Sequence, residues 1–69
     1  MTFGAAVRAQ REAKLLTQQQ LAELADLHTN YVSSVERGER NIGLHNVARL
    51  AYALDLPISA LLSPLDPKQ

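Results

Sequence analysis

Few residues in this 69-residue chain are of a kind that does covalent chemistry. It has no cysteine, so a thiolate nucleophile, a disulfide or a thiolate zinc site is excluded. His28 and His45 stand far apart in the sequence, and no carboxylates share metal-ligand spacing with them. No Gly-rich phosphate loop or nucleophile elbow is present either. The expectation is a protein that is not an enzyme, with no metal, no cofactor and no evident small-molecule ligand. What remains is hydrogen-bonding chemistry. Short polar side chains gather at Thr29, Asn30, Ser33 and Ser34, and five of the seven basic residues fall in two clusters, Arg8/Arg11/Lys14 and Arg37/Arg40. The formal net charge is zero, which argues against a partner gripped mainly by non-specific electrostatics. Any basic face must come from local arrangement.

The elements that would position these groups are helices. Apolar residues recur three and four apart, no stretch alternates with a period of two, and the chain reads as all-α with five short helices. Thr2 is an N-cap for a first helix reaching Lys14, with Phe3 and Val7 inward and Gln10 where the apolar stripe should continue. Thr17 followed by Gln20 has capping-box spacing and opens a second helix that carries Leu21, Leu24 and Ala25 inward and stops at Asp26. A third runs from Thr29 to Arg37 with Val32 and Val35 inward, and Gly38 suits its C′ position. Glu39, Arg40 and Asn41 form an exposed loop. Val47, Leu50, Ala51 and Leu54 then follow helical spacing after Gly43, and Pro57 takes the first position of a last helix containing Ile58, Leu61 and Leu62.

A hydrophobic share of 46% with 20% charged residues fits an ordinary folded domain. The apolar start, Met1 to Val7, is interrupted by Arg8 and Arg11 too soon for a signal or a membrane span, so a cytoplasmic protein without membrane partners is expected. Residues 1–63 are expected to form the domain and 64–69 a flexible tail.

Two short helices joined by a tight turn make a docking device, since the second can enter a DNA major groove while the first braces across it. The small Ala22 fits where such helices cross. The segment TQQQLAELADLHTNYVSSVERG, Thr17 to Gly38, resembles the phage-repressor and Cro-like helix-turn-helix family, also called the xenobiotic-response-element (XRE) family. The resemblance extends through Phe3-Gly4, Val7-Arg8, Arg11-Glu12, Asn41-Ile42 and the Leu50-to-Leu54 stripe to Leu61-Leu62. Tyr31-Val32-Ser33 and Glu36 to Asn41 also look like the controller proteins of restriction-modification systems.

The resemblance implies a five-helix lambda-repressor-like fold and a transcription regulator that binds a two-fold-related, double-stranded DNA operator as a homodimer. Thr29, Asn30, Ser33 and Ser34 would read bases, since Asn pairs bidentately with adenine and Ser or Thr offers single hydrogen bonds. Gln18, Arg37, Arg40 and Asn41 would contact phosphates. Arg11 and Glu36 would form a structural ion pair, and Ile58, Leu61, Leu62 and Leu65 the dimer interface. Three residues depart from the family pattern: His28 at the third helix's cap, Gln10 in place of a core aliphatic, and Asp26 in place of a turn glycine. An antitoxin-like or adaptor module that uses the same fold on a protein partner is the alternative.

Overall fold

The computed structural model describes residues 2–62. They form α1 (Phe3–Ala13), α2 (Gln18–Ala25), α3 (Thr29–Glu36), α4 (Leu44–Ala53) and α5 (Ile58–Leu62), with no strand among them. Leu65 and the expected tail lie outside the described residues.

Local chemistry sets the helix boundaries. The Thr2 hydroxyl accepts the Ala5 N–H at 3.1 Å to start α1. At α2 the capping box is complete: Thr17 Oγ1 accepts the Gln20 N–H at 3.0 Å, and Gln20 Oε1 accepts the Thr17 N–H at 2.8 Å. Four helices end alike, on a left-handed residue at Leu15 (φ 59°), Asp26 (φ 58°), Gly38 (φ 79°) and Asp55 (φ 58°). In each case the next N–H folds back on the helix, as when Leu16 N donates to Arg11 O and Leu27 N to Ala22 O. These turns tuck Leu16, Leu27 and Leu56 against the core. Glycine is the natural residue for that backbone, and only α3 uses it.

The core is aliphatic, with Val7, Leu21, Val32, Leu50, Leu54 and Leu61 at no more than 2% relative exposure. Helix α3 packs on α1 and α2, α4 on α2 and α5, and α5 closes back on α1. Ala22 is 1% exposed.

Two sequence expectations need correction here. Leu24 does not point inward and is 57% exposed. The buried face of α2 is Leu21, Ala22 and Ala25, and turning the small alanines toward the neighbouring helices swings Leu24 out to the flank. Pro57 does not occupy the first helical position: α5 begins at Ile58, and the Pro57 carbonyl accepts the Ala60 N–H at 3.0 Å from the flanking position. Gln10 is half-buried and leaves no defect, since no buried side-chain nitrogen or oxygen among the described residues lacks a partner.

Candidate nucleic-acid interface

Helix α3 is held from behind and open in front. Its buried side is Val32 and Val35. Beneath its C-terminal end, Gly4 of α1 comes so close that a Cβ there would collide with the carbonyl oxygens of Val35 and Glu36. This backbone approach brings Arg11 to Glu36.

The Arg11 guanidinium donates from Nε to Glu36 Oε2 at 2.7 Å, from Nη2 to Oε1 at 3.1 Å, and from Nη1 to the Leu16 carbonyl at 2.7 Å. Both side chains are largely removed from water, at 11% and 3% exposure. Its hydrogen bond to Glu36 outweighs the opposing effect of burial and holds the Arg11 guanidinium above its ordinary range. Glu36 accepts a further bond at Oε1, from Gln18 Nε2 at 3.0 Å. One carboxylate therefore ties together α1, the first residue of α2 and the end of α3. A carboxamide nitrogen carries two protons, so the other Gln18 N–H remains available.

On the open side, Thr29 and Asn30 lie in the first turn of α3 and are exposed. Neither side chain makes a hydrogen bond among the described residues. Ser33 and Ser34, half-buried, are engaged: Ser34 Oγ donates to the Asn30 carbonyl at 2.9 Å, and Ser33 Oγ accepts from Arg37 Nη1. His28 precedes α3 without capping it through its side chain.

The basic residues beyond α3 differ in how far they are already committed. Arg37 donates to Glu39 from Nε at 3.0 Å and Nη2 at 3.1 Å. That contact holds the Arg37 guanidinium up and the Glu39 carboxyl below its usual range, first through the hydrogen bonds and then through charge. The Arg40 guanidinium stands 5.5 Å from the Tyr31 ring centroid, within cation–π range. Asn41 is exposed. On α1, Arg8 pairs with Glu12 at 3.3 Å on the surface, and Lys14 is exposed.

The expected interface residues scatter. Leu61 is 0% exposed and belongs wholly to the chain's own core, so it cannot supply a subunit contact. The short α5 must bury one leucine to close against α1 and α4, and Leu61 is that residue. Ile58 is half-buried and packed against the core, Leu62 is 38% exposed, and Leu65 falls outside the described residues.

Four groups near α3 make contacts that the sequence does not assign, although Gly4 and Tyr31 are among the residues that carry the family resemblance. They are Gly4; Tyr31, whose hydroxyl accepts from Asn46 Nδ2 at 3.1 Å; Asn46 itself; and Arg49, which reaches back to Asp26. No spacing rule announces them, because each acts across a tertiary contact. The exposed Tyr52, at 85%, was likewise not anticipated.

A capped bracing helix, a tight left-handed turn and a second helix with its polar first turn exposed define a helix-turn-helix protein. The chain belongs to the helix-turn-helix family, whose model matches residues 7–61. It is 46% identical over 57 residues to the control protein C.SmaI of Serratia marcescens, covering 83% of this chain and 68% of that protein. With the control protein C.BamHI of Bacillus amyloliquefaciens it shares 40% over 63 residues, 90% of this chain and 78% of that one. The solved restriction-modification controller protein C.AhdI from Aeromonas hydrophila superposes with a TM-score of 0.85 at 47% identity, covering 86% of this chain and 89% of that chain.

Proposed function

We propose that this chain is a transcription regulator of the restriction-modification controller type, binding a two-fold-related operator as a homodimer. The observation that carries the reading is the exposed first turn of α3, where Thr29 and Asn30 have free hydrogen-bonding groups at the point a recognition helix offers to base edges. Ser33 and Ser34 follow along the same helix and contribute through their remaining lone pairs.

Gln18, aimed by Glu36, offers its second N–H to a phosphate beside the backbone amides that open α2. Arg40 and Asn41 meet the backbone on the other side, and Arg37 does so by exchanging Glu39 for a phosphate. A few such contacts suit a chain of zero net charge: they fix register, and the base contacts supply discrimination. Dimerisation is assigned to Ile58, Leu62 and Leu65 at the C-terminal end. The similarity to control proteins over most of the chain supports the restriction-modification setting.

The test is titration of an operator duplex, obtained by selection with the wild-type protein, across a series of salt concentrations. Thr29→Ala and Asn30→Ala should each lose about 1–3 kcal/mol of specific affinity and relax preference at single base positions. Gln18→Ala and Arg40→Ala should weaken binding to all sequences, and Arg40→Ala should lower the salt slope by about one. Unchanged operator preference in both α3 variants would remove these residues from the reading set.

A further inference from the structure

Behind the first turn of α3 lies a cleft of about 350 Å³, lined by Asp26, Leu27, His28, Tyr31 and Asn46. Two polar contacts from α4 reach residues that line it. Asn46 Nδ2 donates to the Tyr31 hydroxyl at 3.1 Å. One helical turn on, Arg49 Nη1 donates to the Asp26 carbonyl at 3.1 Å and to Asp26 Oδ2 at 3.3 Å. Arg49 is itself aimed by His45, whose Nε2 accepts from Arg49 Nε at 3.2 Å.

We infer that Arg49, seconded by Asn46, is a positioning residue that fixes the angle at which α3 is presented to DNA. The inference rests on the DNA-binding reading above. Asp26 holds φ 58° and ψ 48° where the chain passes from α2 to α3. A non-glycine residue adopts this conformation at a cost, and small changes in its two dihedrals would swing the helix that follows. Its carbonyl accepts from no backbone N–H among the described residues, and the guanidinium supplies the missing donor at the negative end of α2. The Asp26 carboxylate is 95% exposed, so the ion pair adds little to stability. The contact's effect is on direction, and a recognition helix is sensitive to direction because its contacts must align within fractions of an ångström.

The selected operator duplex and a random-sequence duplex of equal length serve as probes, with melting followed by circular dichroism. Arg49→Met keeps the aliphatic stem and removes the donors. It should weaken operator binding about tenfold, the equivalent of one lost hydrogen bond. Random-duplex affinity and the salt slope should stay as in the wild type. Arg49→Lys, which keeps a donor for the Asp26 carbonyl, should recover part of the loss, and Asn46→Ala should repeat the pattern more weakly without touching the turn. A salt slope lowered by about one in Arg49→Met would mean direct phosphate contact and would overturn the inference. So would equal losses on both duplexes, or an operator affinity that does not change. A wild-type protein that prefers no duplex would instead bring down the DNA-binding reading itself, a result visible before any variant is made.

Discussion

Glu36 is the residue on which most of the interface geometry depends. It ends α3, yet its two oxygens hold Arg11 of α1 and Gln18 of α2. Removing it leaves a guanidinium at 11% exposure without a counter-charge, the situation in which breaking a buried pair costs most. Glu36→Ala is therefore expected to lose about 3–5 kcal/mol, more than removal of any charge outside this pair, read as a fall in melting temperature. Glu36→Gln should lose less, because it still accepts from Arg11. An unchanged melting temperature in Glu36→Ala would mean that the pair carries no stability. The raised pKa of Arg11 adds a sign: its contribution is complete below the arginine range and is lost only as pH climbs through it, so this residue gives no pH dependence near neutrality. The residue types of this site were legible in the sequence, and Arg11, Gln18 and Glu36 were all singled out. The Arg11–Glu36 pair, which the family resemblance implies, forms as expected. The bond from Gln18 to Glu36 is not legible, since it follows from how the helices cross and not from any spacing along the chain.

At the scale of elements, helix ends were more legible than helix faces. Thr2, Thr17 and Gly38 cap where local hydrogen-bonding rules put them, because capping is decided within a few residues. Leu24 was misplaced because a short helix offers two candidate apolar stripes, and the choice belongs to the neighbour it packs against. Gly4 was equally opaque, since its role is the space α3 requires. These two kinds of constraint predict opposite responses to exchanging glycine. Gly4→Ala should cost about 1–3 kcal/mol, as overpacking does, because the added Cβ meets backbone that cannot step aside. Leu15→Gly should stabilise by up to about 1 kcal/mol, since Leu15 is 90% exposed and sits in a left-handed conformation that glycine adopts freely. Thermal melts of the two variants decide the point. A stabilised Gly4→Ala would mean that α1 and α3 are not in close contact, and a destabilised Leu15→Gly that the turn is not strained.

At the scale of the molecule, a single short helix reads too few base pairs for useful specificity, which is why the proposal requires two. The all-α, five-helix fold is legible in the described residues because apolar residues recur three and four apart in every helix, most regularly at Val47, Leu50 and Ala51 of α4 and Leu54 at its C-cap. The subunit surface was not: Leu61, expected to face a partner, fills the chain's own core, and an aliphatic stripe on a five-residue helix does not say which side is inner. Leu62→Glu is expected to leave a folded chain that sediments as a monomer and binds the operator more weakly and less cooperatively. A Leu62→Glu protein that still sediments as a dimer would move the interface elsewhere. The central claim, sequence-specific recognition by a symmetric pair of α3 helices, is tested most directly by selecting bound duplexes from a random pool with the wild-type protein. The expected result is an enriched two-fold-symmetric site whose half-sites are centred about 10 base pairs, or ~34 Å, apart. Enrichment of no sequence, or of a lone asymmetric half-site bound as tightly as any longer duplex, would contradict it.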